Sequence, residues 1–170
     1  MNERANLVTL GGKPVTLVGP ELKVGDRAPD FTVVGNDLGP VRFADFKGKP
    51  VIISVVLSLN TDICDTETRR FNAEAATLGP DVVILTVSMD LPFTLKRWCG
   101  AAGIDRVITV SDHRTAEFGQ AYGVLVKDLR VLARSVFVVD RAGVIRYIQI
   151  VKEVGTEPDY RPILEAVKAL

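Results

Sequence analysis

The chain has 170 residues, 47% of them hydrophobic and 25% charged, with 21 Lys+Arg against 21 Asp+Glu and one histidine. That length suits one domain, residues 1–170, burying roughly 70% of the unfolded surface, and the balanced charge, with no basic block, excludes a nucleic-acid partner. The longest apolar run, Val51–Leu57, includes Ser54 and falls short of the roughly 20 residues that cross a bilayer, so no membrane partner is expected.

Leu7–Leu10 and Pro14–Leu17 flank Gly11-Gly12-Lys13 and predict an N-terminal β-hairpin. Phe31–Val34 and Val41–Phe43 follow as short strands separated by the turn signals Gly35-Asn36-Asp37 and Gly39-Pro40. The β-branched run Val51–Leu57 predicts a central strand covered on both faces. From Cys64 the period changes: Cys64, Thr68, Phe71, Ala75 and Leu78 recur at helical steps up to Gly79-Pro80, and Asp65, Glu67, Arg69, Arg70 and Glu74 are assigned to other faces. Asp81–Ser88 reads as a buried strand, Phe93–Ala102 as a helix, Val107–Val110 as a strand and Thr115–Tyr122 as a helix. Arg134–Asp140 and Val144–Ile150 form a hairpin about Arg141-Ala142-Gly143, and Pro158–Leu170 closes the chain as a helix. The order predicts an α/β chain of thioredoxin-like fold, with a mixed central sheet flanked by helices.

The two cysteines lie in unlike settings. Cys64 sits where a strand-like run gives way to a helix, and a sulfur there feels the positive end of the helix dipole, which favours the thiolate. Taken alone, a cysteine is more often a small core residue. The acidic neighbours Asp62, Asp65 and Glu67 oppose an anion, so a cation must come from elsewhere. Arg134, polar at the head of an apolar strand, is the candidate, with an ordinary surface ion pair as its bland alternative. The Thr61 hydroxyl, one helical turn before the cysteine, either aims at the same sulfur or caps the helix. Cys99 lies in Lys96-Arg97-Trp98-Cys99, where it either packs beside Trp98 or is activated by its basic neighbours. His113 reads as a turn or surface histidine, because adjacency to Ser111 and Asp112 is not a triad. With neither Cys-x-x-Cys nor more than one histidine, a metal site is not expected.

Thr61-x-x-Cys64, Asp90-Leu91-Pro92-Phe93 leading to Arg97-Trp98-Cys99-Gly100, Val107–Ser111, Ala116-Glu117-Phe118 leading to Ala121–Val124, Leu132-Ala133-Arg134, and Thr156–Tyr160 occur in this order. Together they resemble the bacterial thiol peroxidase branch of the peroxiredoxins, nearly end to end. The resemblance implies a peroxidase in which Cys64 is the peroxidatic residue, Cys99 resolves it as an intramolecular disulfide, and Thr61 and Arg134 are the activating pair. It also implies hydroperoxide substrates, thioredoxin as electron donor, no cofactor, and a homodimer. The opening Met1–Asn6 shows no basic segment followed by a long apolar one, so a cytoplasmic address is expected. Leu57 stands where the family has proline, and Asn60 where it commonly has aspartate. Leucine frees φ and restores an N–H, which predicts a looser pocket and a slower reaction. Two other classes remain in view: a thiol–disulfide oxidoreductase, against which the missing Cys-x-x-Cys counts, and a non-catalytic domain, which Leu57 favours.

Overall fold

The computed structural model describes residues Met1–Leu170. Gly11 and Gly12 both take positive φ, 58° and 77°, a conformation glycine adopts without steric cost, and join β1 (Glu3–Leu10) to β2 (Lys13–Val18) in an antiparallel hairpin. β1 begins earlier than the apolar pattern suggests, because a register shift between Arg4 and Val8 around left-handed Asn6 breaks the alternation. β2 also pairs with β8 (Leu125–Val126), which pairs with β9 (Val131–Leu132), giving a four-stranded sheet in the order β1-β2-β8-β9. Two-residue strands are too short to show a period, and neither was expected.

The main sheet takes seven strands: β3 (Thr32–Val34), β4 (Pro40–Arg42), β5 (Val51–Val55), β6 (Val83–Ser88), β7 (Ile108–Ser111), β10 (Ser135–Val139) and β11 (Ile145–Ile150). Their order is β11-β10-β5-β6-β7-β3-β4. β5, β6 and β7 run parallel and the other pairs antiparallel, so the sheet is mixed as expected. Parallel neighbours need crossovers, here α1 (Asp62–Leu78) and α2 (Pro92–Ala102).

All five residues of β5 are buried, and their alternation divides the core. Val51, Ile53 and Val55 join Phe31, Phe118, Tyr122 and Phe137 on one face, with Val8 and Leu17 of the small sheet. Ile52 faces the other way, against Phe71 and Ala75 of α1 and Ile163 and Val167 of α4 (Tyr160–Lys168). A third cluster, Val56, Leu59, Cys64 and Leu95, gathers beyond the C-terminal end of β5.

Three local differences have simple causes. Phe43 opens a 3-10 turn, Phe43–Phe46, in place of extending β4, because Asp45 accepts the Arg42 N–H. The helix expected at Thr115–Tyr122 shrinks to α3 (Glu117–Ala121), since buried Asp112 captures the Phe118 and Gly119 N–H groups and Ala116 turns left-handed before them. Glu67, assigned to an outer face of α1, is fully buried on the same stripe as Cys64, Thr68 and Phe71. No helix is long and apolar enough to cross a membrane.

Candidate active site

After β5 the chain runs through Val56–Asn60 and enters α1 at Thr61, the N-cap, with extended φ and ψ of −103° and 146°. Cys64 is the third residue of the helix, where backbone N–H groups lack intrahelical partners and the dipole is positive. Its side chain is fully buried, yet its sulfur is not in an apolar hole. Sγ accepts from Arg134 Nη2 at 3.2 Å and faces the Ser58 N–H at 3.5 Å. Arg134 lies immediately before β10, the strand that pairs with β5, and that pairing brings it to a thiol 70 residues away in sequence.

The guanidinium is 1% exposed and spends each nitrogen on a different group. Nε donates to the Val154 carbonyl at 2.9 Å, Nη1 to the Glu67 carboxylate, and Nη2 to the sulfur. Glu67 reaches this point because it stands three residues after Cys64, and because Ser54 on the α1 side of β5 donates to its other oxygen at 3.0 Å. Burial pushes the Glu67 carboxyl up from 4.5 to about 7, and Arg134 and Ser54 offset only part of that. For Arg134, burial disfavours the cation, but Glu67 and the Cys64 sulfur outweigh it and hold its pKa above the ordinary value. The guanidinium therefore divides its charge between a carboxylate and a thiol.

The Thr61 hydroxyl makes no hydrogen bond to the sulfur: it donates to the Ser58 carbonyl at 2.8 Å and bonds no helix N–H. Of the three acidic neighbours, Asp62 is exposed, and Asp65 turns toward α2, accepting from Trp98 Nε1 at 2.7 Å and Arg69 Nε at 2.9 Å. Only Glu67 faces the site, and it arrives already paired.

Cys99 is half-buried on α2, and its sulfur lies 3.2 Å from the Thr109 hydroxyl of β7. Lys96 and Arg97 are exposed, so the bonded partner of this sulfur is a hydroxyl and not either base. Both cysteines are free. Leu95 and Trp98 pack against Cys64, while Cys99 lies four residues beyond Leu95, roughly 6 Å along the axis. The two sulfurs have different partners, Arg134 for Cys64 and Thr109 for Cys99.

His113 behaves as a turn residue. Its Nδ1 is 2.8 Å from Ser111 Oγ, while that hydroxyl donates to the Asp90 carbonyl and Asp112 caps α3, so no relay forms. Sequence reasoning missed Ser54, Ser58 and Asp90, and misplaced Glu67. For Glu67 a signal existed, an acid interrupting the apolar stripe at the step of three from Cys64.

The comparisons with known proteins give the family. A family model described as Redoxin matches residues 23–164. The chain is 57% identical to a thiol peroxidase of Bacillus subtilis (strain 168) over 163 residues, 96% of this chain and 97% of that one. It is also 54% identical to a thiol peroxidase of Listeria monocytogenes serotype 4b (strain F2365) over 161 residues, 95% and 97% of the two chains. The chain belongs to the redoxin family, among its thiol peroxidases. A solved structure of a peroxiredoxin-like protein from Aquifex aeolicus shares the fold, with a TM-score of 0.90 at 44% identity over 98% of this chain and 96% of that one. A thiol peroxidase needs a sulfur that attacks, and this one has two to choose from. Only Cys64 combines a helix N-terminus with a guanidinium in contact.

Proposed function

We propose that Cys64 is the attacking sulfur and that hydrogen peroxide and organic hydroperoxides are its substrates. The Arg134 Nη2 contact at 3.2 Å carries this reading, because it is the one charge-assisted hydrogen bond made to a thiol in the chain. The thiolate attacks the terminal peroxide oxygen. A sulfur–oxygen bond forms, the oxygen–oxygen bond breaks, sulfur gives up two electrons, and the departing alkoxide or hydroxide leaves as alcohol or water once protonated. Arg134, with its fork of donors, stabilises charge moving onto the leaving oxygen, and the Thr61 hydroxyl turns from Ser58 to assist.

Cys99 then attacks the Cys64 sulfenic acid, releasing water and forming an intramolecular disulfide. Support for this step comes from Leu95 and Trp98, which place the helix of Cys99 against the Cys64 cluster. Thioredoxin returns two electrons by thiol–disulfide exchange. The protein acts in the cytoplasm as a homodimer, and residues 1–170 work as one domain. Support for the single domain is a core cluster that unites Val8 and Leu17 of the small sheet with Val55, Val87 and Phe137 of the large one.

The sulfur is covered by Val56, Leu59 and Leu95 with Leu57 and Trp98 around them, so substrate entry requires side chains of this cover to move aside while Arg134 and the Ser58 N–H stay at the sulfur. The test is a thiol count on reduced protein given one equivalent of hydrogen peroxide. Two thiols should disappear, peptide mapping should find Cys64 joined to Cys99, and thioredoxin should restore both. Protein that keeps both thiols, or loses them only to protein disulfides, is not a peroxidase working through these residues.

A further inference from the structure

Asp90 lies between β6 and α2, immediately before the α2 N-cap Leu91, where an acid ordinarily turns to its own helix. It does not: Leu91 has no side-chain cap, and no α2 N–H group donates to Asp90. The carboxylate instead reaches across to the loop before α1. It accepts the Ser58 hydroxyl at 2.6 Å on Oδ1 and the Leu59 N–H at 2.8 Å on Oδ2, and the Ser88 hydroxyl supports Oδ2 at 3.1 Å. Its own carbonyl accepts the Ser111 hydroxyl from the end of β7, so the acid is anchored on the sheet side.

Ser58, the residue it holds, faces the reactive sulfur. The Ser58 N–H points at Cys64 Sγ, its carbonyl accepts both the Thr61 hydroxyl and the Thr61 N–H, and its hydroxyl accepts the Asn60 N–H while donating to Asp90. One residue thus gathers the loop, the N-cap and the sulfur, and Asp90 fixes it to the start of the helix that carries Cys99.

We propose that Asp90 is a positioning residue that clasps the Ser58–Leu59 loop to the start of α2, holding the Ser58 N–H at the Cys64 sulfur and making the opening of the two helices one coupled event. This rests on the reading of Cys64 as the attacking sulfur and Cys99 as its partner. With the clasp closed, the sulfur is held for attack. When Cys64 moves toward Cys99, the Ser58 and Leu59 bonds to Asp90 must break, or the start of α2 must travel with the loop. Weakening the clasp therefore slows attack and speeds disulfide formation, two effects of opposite sign that general destabilisation does not produce.

The experiment is single-turnover stopped flow on reduced full-length wild type, Asp90→Asn and Ser58→Ala, followed by Trp98 fluorescence as hydrogen peroxide is varied. In both variants the peroxide-dependent phase should slow about tenfold, the scale of one lost hydrogen bond to a charged group, while the peroxide-independent phase that forms the disulfide quickens. Ser58→Ala removes the hydroxyl that donates to Asp90 and accepts the Asn60 N–H, and leaves α2 untouched, so it carries the test if Asp90→Asn does not fold. Unchanged phases, or two phases slowed alike, overturn the proposal. Hydrogen exchange on the same proteins is independent of peroxide chemistry: Asp90→Asn should raise exchange in Ser58–Cys64 and in the first turn of α2 by the same factor, and a rise confined to one segment overturns the coupling. Wild type with no peroxide-dependent phase overturns the role of Cys64 instead, and the exchange result then decides the clasp alone.

Discussion

Glu67→Gln isolates the charge balance of the site. Glutamine keeps the shape and can keep both partners, with its amide oxygen toward Arg134 and its NH2 toward the Ser54 hydroxyl, which rotates to accept. What it removes is titration. Because burial raises the folded carboxyl to about 7 from 4.5, between those values the native protein holds a proton that the unfolded chain has released. Stability due to Glu67 is therefore full below the unfolded value and declines as pH rises to about 7, by at most about 1.4 kcal/mol per pH unit and about 3 kcal/mol in total. Asp112, which burial raises to about 6, contributes a decline of the same sign in both proteins, so the difference between variant and wild type reports Glu67. Urea unfolding of reduced protein, read by the single tryptophan Trp98 from pH 5 to pH 8, measures it. The Glu67→Gln curve should gain on wild type from pH 5 to about pH 7 and run parallel to it above that. Parallel curves between pH 5 and pH 7 would mean that Glu67 is ionised throughout and that Arg134 is not shared in the way described.

Arg134→Lys keeps a charge but loses the fork that spans Val154, Glu67 and Cys64; the second-order rate with hydrogen peroxide should fall about 100-fold, and a fall of less than about threefold would remove the guanidinium from the mechanism. Leu57 is half-buried against both the main core and the Cys64 cluster, and its N–H makes no hydrogen bond, so Leu57→Pro gives up no backbone partner. It should raise the melting temperature, by the equivalent of about 0.4–1 kcal/mol, and speed the peroxide reaction; a lower melting temperature would show that the local φ does not admit proline. Trp98→Phe deletes the bond to Asp65 and the stacking of Arg69 on the indole, and hydrogen exchange in the first turns of α1 and α2 should rise about fivefold, the scale of about 1 kcal/mol. Unchanged exchange there would mean that Trp98 does not brace the two helices.

Much of this was legible from periodicity. The β-branched run at Val51–Leu57, of which the strand keeps Val51–Val55, and the switch to helical spacing at Cys64 located the strand-to-helix junction, and the alternation of strands and helices gave the mixed sheet. What periodicity concealed were contacts across long separations. Glu67 looked like a surface acid because its partner Arg134 is 67 residues away, and only the pairing of β5 with β10 brings the two together. Asp90 stands in the Asp90-Leu91-Pro92-Phe93 motif, but nothing links it to Ser58, 32 residues away, until the loop after β5 meets the end of β6. For Cys99 the sequence leaves packing beside Trp98 and activation by Lys96 and Arg97 both open; the helix turns both bases to solvent and the sulfur to Thr109. The place of Cys64 on the helical stripe foretold its burial, but not what covers it, since Val56, Leu59 and Leu95 come from the loop and from α2.

The most direct test of the account uses Cys99→Ser protein, reduced and given one equivalent of hydrogen peroxide at neutral pH, then treated with a sulfenic-acid-trapping dione and mapped by mass spectrometry. The trapped adduct should sit on Cys64, and Cys64→Ser protein handled in the same way should carry none on either residue. An unmodified Cys64 in folded protein would contradict the proposal that this sulfur, in contact with Arg134 at the helix N-terminus, is the one that attacks peroxide.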